Sequence, residues 1–110
     1  MKKKVVDEKR LHHRIPTKVR VTATSEDIED AFMESENMSL GGVLLQSEHP
    51  FDEGTELLLR FELPDYRKPI EVKGIVTNVL GEKRVGVKFI ELDPETEKAI
   101  RYHLLFGERK

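Results

Sequence analysis

The sequence contains no cysteine, which excludes catalysis by a thiol, metal binding through thiolates and disulfide bonds. It also lacks an excess of one charge, because 19 basic residues nearly balance 21 acidic ones and leave a net charge of −2. General binding to DNA or RNA requires a strongly basic surface, so this balance disfavours it. No apolar run is long enough to cross a membrane, and the basic N-terminus lacks the apolar segment of a secretory signal. We therefore expect a cytoplasmic protein that does not insert into membranes.

The chain does contain enough apolar sequence for one small domain. Its 110 residues are 37% hydrophobic and 36% charged, which is typical of a globular domain with a single core. The first fourteen residues are polar and concentrate positive charge in Lys2, Lys3, Lys4, Lys9, Arg10 and Arg14. We interpret residues 1–14 as a flexible basic arm and residues 15–110 as the folded domain.

Alternation of apolar and polar residues predicts about six antiparallel strands. The predicted ranges are Thr17–Thr24, Ile28–Glu36, Gly42–Gln46, Thr55–Leu63, Ile70–Leu80 and Val85–Phe89. The second range fits a helix equally well by pattern alone, and we favour a strand because it lies between other strands. In the fifth range the apolar positions change parity around Gly74, which predicts a bulge or a sharp coil there.

The pattern after the last strand predicts one helix. Asp93 suits the N-cap and Pro94 suits the first helical position. One stripe at helical spacing would face the barrel: Ala99, Ile100, His103 and Leu104. The neighbouring Tyr102, Leu105 and Phe106 could dock a partner protein, but we favour the interpretation that they cover the core as well. We expect Gly107 to end the helix. Short strands joined by tight turns favour closure, which removes exposed strand edges, so we predict an all-β fold, a six-stranded antiparallel barrel with a C-terminal α-helix.

Two arginines separated by three residues, Arg10 and Arg14, stand just before the first predicted strand. A guanidinium group forms paired hydrogen bonds with phosphate oxygens or with the O6/N7 edge of guanine, and its flat face stacks on a base. Taken alone, this pair is better explained by an ordinary solvated run of charge.

A second polar motif, Asn37-Met38-Ser39-Leu40-Gly41-Gly42, leads into the third predicted strand. The amide of Asn37 and the hydroxyl of Ser39 can direct hydrogen bonds to base edges from one side of a turn. Gly41 and Gly42 would let a flat ring approach the backbone closely. The same residue types are also those of an ordinary turn between two strands, and composition alone leaves both interpretations open.

Together the two motifs resemble the ligand site of PilZ domains, which are receptors for the bacterial second messenger cyclic di-GMP. The family pattern is an arginine, three residues and an arginine, followed after a strand and a hairpin by Asp or Asn, any residue, Ser, two residues and Gly. The residues that match every specified position are Arg10, Arg14, Asn37, Ser39 and Gly42. The segment Val85–Phe89 is similar to the family's Val-Gly-x-x-Phe pattern, and the resemblance extends from Arg10 to about Phe106.

The resemblance implies a PilZ-like split barrel that binds cyclic di-GMP and needs no further cofactor. Arg10 and Arg14 would clamp phosphates and guanine, while Asn37, Ser39 and Gly42 would hold a guanine on the barrel. Lys9 and Gly41 are secondary candidates for ligand contact, and a basic residue at position 9 is compatible with a stacked ligand dimer. Asn37 replaces the commoner Asp and accepts hydrogen bonds from the guanine N1/N2 edge through one oxygen only, so we expect weaker binding.

We interpret the chain as a non-enzymatic receptor or adaptor. Ligand binding would draw residues 1–14 onto the barrel and present a new surface to a downstream protein partner, whose identity the sequence does not give. An alternative is a PilZ-like structural adaptor that acts through protein–protein interaction without binding nucleotide, although this chain keeps the ligand motifs. A barrel that binds single-stranded nucleic acid would need exposed aromatic residues among basic ones on its strands, whereas the seven aromatics here mostly fall at core positions or on the helix.

Neither a metal site nor a catalytic site is recognisable in the sequence. His12 and His13 are adjacent, and no other ligand stands at a useful spacing from them. No nucleophile-elbow motif surrounds Ser39, and the carboxylates show no catalytic pairing. We therefore predict no catalytic residues and no metal ligands.

Overall fold

The computed structural model describes residues 14–106. Within this range the chain forms seven strands and one helix, and every strand pairing is antiparallel. The strands are β1 (Ile15–Pro16), β2 (Arg20–Thr24), β3 (Ala31–Met38), β4 (Gly42–Gln46), β5 (Glu56–Phe61), β6 (Ile70–Leu80) and β7 (Arg84–Ile90), and the helix is α1 (Pro94–Phe106).

Strands β2 to β7 close into a barrel. The sheet order is β1-β3-β2-β5-β6-β7-β4, and β4 pairs with β3 as well, which joins the two ends of the six-stranded sheet. The predicted six-stranded antiparallel barrel with a C-terminal helix is therefore confirmed. The additional strand β1 is only two residues long and pairs with the last two residues of β3, Ile15 with Met38 and Pro16 with Asn37. Two residues are too few to produce an alternating pattern, so the sequence does not predict this strand.

The core forms because the strands alternate as the sequence pattern predicts. In β5, Leu57, Leu59 and Phe61 are buried while the residues between them are exposed. The largest fully buried apolar side chains come from the strands and from α1: Val21, Met38, Val43, Leu45, Leu59, Ile70, Val76, Val87 and Ile100. Burial of apolar surface from every strand of the barrel on one common core stabilises the closed fold.

Helix α1 begins where its capping residue predicts. The Asp93 carboxylate accepts a hydrogen bond from the backbone N–H of Thr96 at 2.8 Å. Hydrogen bonding to Thr96, through its side chain first and its backbone N–H second, holds the pKa of Asp93 below its ordinary value of 3.8. The helix buries Ala99, Ile100 and Leu104, as the stripe predicts. Gly107 lies outside the described residues. No helix in the described part of the chain has both the length and the apolar character required to span a bilayer.

His103 is also buried on α1, and it connects the helix to the loop that follows β5. Its Nδ1 lies 3.3 Å from Oδ1 of Asp65 in that loop. Leu105 packs against the core, but Tyr102 is 55% exposed and Phe106 is 61% exposed. The prediction that all three residues beside the stripe cover the core is therefore wrong for the two aromatic residues, which contact each other on the outer face of the helix.

The irregularity in β6 lies a few residues closer to the C-terminal end of the strand than the sequence predicts. Pairing with β5 is regular through Gly74, which lies opposite Leu57. The register shifts instead on the β7 side, between Val76 and Asn78. Gly74 occupies an inward position where a Cβ atom would lie 2.5 Å from Cγ1 of Val87, so only glycine fits. The alternation of buried and exposed residues in β6 therefore continues through Gly74, although the sequence pattern suggests that it is interrupted there.

Candidate functional site

The polar motif forms the end of β3, the β3–β4 hairpin (residues 39–41) and the start of β4. The Ser39 N–H donates to the carbonyl of Gly42 at 2.9 Å, and the Gly41 N–H donates to the Ser39 hydroxyl at 3.2 Å. Ser39 is buried, so its side chain is part of the hairpin. Its hydroxyl still has a hydrogen to donate, because accepting one bond leaves the donor function free.

The two glycines of the motif have different structural roles. A Cβ atom on Gly42 would lie 2.3 Å from the carbonyl oxygen of Val87, so the backbones of β4 and β7 approach too closely for any side chain. Gly41 is exposed, and a Cβ atom there would have only the Ser39 hydroxyl nearby, at 3.9 Å. The need for glycine at position 42 therefore arises within the barrel, independently of any ligand.

Asn37 connects this motif to the first one. It lies next to the fully buried Met38 in β3 and is itself only half-buried, because successive side chains of a strand point to opposite faces. Pairing of Pro16 with Asn37 brings the nearby Arg14 to the same place. There Nη1 of Arg14 donates a hydrogen bond to Oδ1 of Asn37 at 3.2 Å. Residues that are 23 positions apart in sequence thus meet at one end of β3.

A β-bulge lies immediately before Asn37. The pairing of β3 with β4 shifts register between Ser35 and Asn37, so Glu36 is the extra residue. Its carboxylate accepts hydrogen bonds from Nε of Arg84 at 3.1 Å and from Nη2 at 3.0 Å, and from Nε2 of Gln46 at 2.9 Å. The pKa of Glu36 is held below its ordinary value of 4.5, mainly by the hydrogen bonding with Arg84 and next by that with Gln46. The same pairing raises the pKa of Arg84.

Sequence reasoning did not assign these residues to the site. Glu36 and Arg84 are 48 positions apart, and only barrel closure places their strands on either side of β4. Lys88 was missed as well. It is the exposed Cα partner of Gly42 on β7, which adds a cationic residue next to the hairpin. The only local signal would have been a lysine in the Val-Gly-x-x-Phe segment.

Five of the seven residues predicted from the sequence lie in the described range, and the structure brings them together: Arg14, Asn37, Ser39, Gly41 and Gly42. Lys9 and Arg10 lie outside the described residues, as do His12 and His13. Their predicted roles therefore stay predictions. Among residues 14–106, no group of three or more metal-ligating side chains is placed to hold a metal ion.

A separate groove lies on another part of the barrel. It has a volume of about 850 Å³ and lies between β2, the end of β5 and the loop that follows β5. Its polar lining includes Arg20, Arg60 and Tyr66, and none of the motif residues within 14–106. These described motif residues therefore form a surface distinct from this groove.

The family model of the PilZ domain matches residues 8–106. The chain therefore belongs to the PilZ domain family, as the two motifs predict. A search of curated proteins gives no match.

Solved structures support the same fold. The chain is similar to the Bacillus subtilis inhibitor of motility MotI/DgrA, with a TM-score of 0.74 and 22% identity over 84% of this chain and 47% of that one. It thus spans about half the length of the Bacillus chain. It is also similar to the PilZ domain of YcgR from Escherichia coli, determined with c-di-GMP, with a TM-score of 0.71 and 14% identity over 86% and 87% of the two chains. A third similar structure is the PilZ domain of CeSA from a cellulose-synthesizing bacterium, with a TM-score of 0.68 and 17% identity over 84% and 95%.

Proposed function

We propose that this chain is a receptor for cyclic di-GMP that acts as an adaptor toward a partner protein. The observation that supports this most directly is the hydrogen bond of 3.2 Å between Arg14 and Asn37, because it joins the two motifs into one surface. Membership of the PilZ family and the similarity to a PilZ domain determined with c-di-GMP agree with this proposal.

Each group at the site has a role that follows from its chemistry. The guanidinium groups of Arg14 and Arg10 bind phosphate oxygens and stack on guanine. Oδ1 of Asn37 accepts from the guanine N1/N2 edge, and the Ser39 hydroxyl donates to the base. In the structure that oxygen accepts from Arg14. Ligand binding therefore exchanges this hydrogen bond for bonds to guanine and frees Arg14 for phosphate.

The exchange gives a mechanism for signalling. When Arg14 leaves Asn37 for the ligand, residues 1–14 close over the bound nucleotide, and the ordered arm with the ligand forms the surface that a partner protein recognises. Amide hydrogen exchange tests this step. Addition of cyclic di-GMP slows exchange within residues 1–14, and Arg10→Ala removes that protection. Unchanged exchange in the saturated wild-type protein would refute closure of the arm.

Isothermal titration calorimetry with cyclic di-GMP tests the binding proposal. We expect binding at micromolar protein, and we expect Arg14→Ala combined with Ser39→Ala to weaken it by at least about tenfold, because each change removes a hydrogen bond to a charged or polar ligand group. Arg60→Ala is the matched control, since it removes an exposed arginine from an ion pair of 3.5 Å with Glu71 on a different part of the barrel. Its affinity should equal that of the wild type.

The outcomes separate the proposal from its alternatives. Absence of heat with wild-type protein, or equal affinity in the double variant, would refute the receptor and favour an adaptor that does not bind nucleotide. Binding of an unrelated single-stranded oligonucleotide that weakens steeply with salt would instead favour a nucleic-acid-binding barrel. Unfolding midpoints of all variants show whether a loss of binding reflects a loss of fold.

A further inference from the structure

The position of Asn37 depends on a bulge, and a bulge needs something to hold it. In a regular strand the side-chain direction of each residue follows from the register, whereas an extra residue leaves the local register less determined. Here the residue before the bulge, Ser35, is opposite Leu45, and the residue after it is opposite Leu44. The conformation at Glu36 therefore determines toward which face of the sheet the side chain of Asn37 points.

Glu36 is held from three sides. Its backbone carbonyl accepts a hydrogen bond from the N–H of Thr17 at 3.1 Å, which attaches the segment between β1 and β2 to the bulge. Its carboxylate is bound by both nitrogen atoms of one side of the Arg84 guanidinium, from β7, and by Gln46, from β4. The bulge of β3 is thus bonded to β4, its neighbour in the barrel, and to β7, the strand on the far side of β4.

The geometry of this cluster is that of a rigid contact. A bidentate arginine–carboxylate pair fixes orientation as well as distance, and the Glu36 side chain is only 21% exposed. Gln46 and Arg84 are direct cross-strand partners, so both donors reach the carboxylate from neighbouring positions of one wall. The described residues contain two other ion pairs of arginine, Arg60–Glu71 and Arg101–Glu97, which involve none of the motif residues that the structure describes.

The charge of Glu36 also matters for an anionic ligand. A carboxylate one residue from Asn37 would repel phosphate, and the guanidinium of Arg84 neutralises it at hydrogen-bond distance. The pairing therefore provides two effects in one contact: it orients the bulge and it removes an unfavourable negative charge next to the motif.

We propose that Glu36 and Arg84 are positioning residues of the ligand site, which set the orientation of Asn37 through the bulge without contacting the nucleotide. This inference rests on the proposed binding of cyclic di-GMP, and it adds two residues that neither motif contains.

A mutant cycle measured by calorimetry with cyclic di-GMP tests the inference. Glu36→Ala and Arg84→Ala should each lower the affinity by about three- to tenfold, and the double variant should lose no more than the weaker-binding single variant. In an Asn37→Ala background, Glu36→Ala should change the affinity by less than about twofold, since the residue through which it acts is gone. Arg101→Ala, which removes an arginine from a helix ion pair of 2.7 Å, is the control and should bind like the wild type.

A measurement without ligand completes the test. The side-chain NH₂ signals of Asn37 in a ¹⁵N–¹H spectrum, assigned by comparison with Asn37→Ala, should shift in Glu36→Ala and Arg84→Ala but not in Arg101→Ala. A merely destabilising change would leave these signals in place in the folded protein. They therefore test positioning even if wild-type protein fails to bind the nucleotide, which would refute the proposed function alone.

Three results would overturn the inference. Wild-type affinity in Glu36→Ala, together with unshifted Asn37 signals, would show that the pair does not position the site. A further loss of affinity on adding Arg84→Ala to Glu36→Ala would show that Arg84 contacts the phosphates directly. An equal effect of Glu36→Ala with and without Asn37 would show that it acts through another residue.

Discussion

The substitution Gly42→Ala separates a structural need for glycine from a ligand-binding one. The added Cβ atom would lie 2.3 Å from the carbonyl oxygen of Val87 and 3.2 Å from Cα of Lys88. Both are backbone atoms of β7, and neither can rotate away as a flexible side chain would. The strands must move apart where Gly42 pairs with Lys88, next to the hydrogen bond of 2.8 Å from the Phe89 N–H to the carbonyl of Gly41.

The magnitude follows from two opposing effects. Forcing an extra methyl group into a well-packed region costs about 1–3 kcal/mol. Replacement of glycine by alanine also restricts the unfolded chain, which offsets about 0.4–1 kcal/mol of that cost. Because the collision is with backbone, we expect the upper part of the first range and a net loss of roughly 2 kcal/mol in the free energy of unfolding. With a urea m-value of about 1–3 kcal/mol/M for a small protein, the midpoint falls by roughly 1 M.

Gly41→Ala is the matched control, one residue away in the same motif. Its Cβ atom would have only the Ser39 hydroxyl nearby, at 3.9 Å, and Gly41 does not adopt a left-handed backbone conformation. Its unfolding free energy should stay within about 0.5 kcal/mol of the wild type or rise slightly. Urea denaturation followed by circular dichroism compares both variants. Equal stability of Gly42→Ala and the wild type, or an equal loss in Gly41→Ala, would refute the reasoning.

Three further predictions concern other contacts. Ser35→Ala should cost about 1–3 kcal/mol in thermal or urea unfolding, because the buried hydroxyl donates to the carbonyl of Thr17 and accepts from the N–H of Val19. A loss equal to that of Ser25→Ala, which changes a half-buried serine in a turn, would contradict this. Asp93→Ala should lower the unfolding midpoint at pH 7, because the ionised Asp93 caps the helix. The pKa of Asp93 is lowered in the folded protein, so the difference should shrink as the pH falls from 3.8 through that lowered pKa and protonation removes the cap. A difference that stays the same throughout this fall in pH would contradict the prediction. Asn37→Asp should raise the affinity for cyclic di-GMP in calorimetry, since a carboxylate accepts two hydrogen bonds from guanine N1/N2. Equal or weaker binding by this variant would contradict the prediction.

The sequence predicts most of the fold because the signals are local. The alternation in β5 assigns Leu57, Leu59 and Phe61 to the core, and the structure buries them. The cap at Asp93 and the buried stripe of α1 follow from neighbouring residues in the same way. Where the chain breaks the local rule, prediction fails: the inward position of Gly74 has no apolar side chain to mark it, so the bulge of β6 is assigned to the wrong place.

The candidate site divides along the same line. The motif residues can be identified from the sequence because their spacing is a linear property, and the structure brings five of them together. The contacts at the neighbouring bulge cannot be identified from the sequence. Glu36, Gln46 and Arg84 meet only because the folded barrel places β4 between β3 and β7. Pairing across a closed barrel depends on all strands at once, and no segment contains that information alone.

Composition and alternation by themselves determined that this chain is a small all-β domain with a C-terminal helix, and the spacing of its two motifs carries the resemblance to PilZ domains. Only the tertiary structure shows three further features: the steric need for glycine at position 42, the contact of Arg14 with Asn37, and the ion pair of Arg84 with Glu36 in the bulge before Asn37. The physical reason is that the backbone conformation of a segment responds mainly to its own residues, whereas steric contact and ion pairing depend on which strands closure of the barrel brings within a few ångströms of each other.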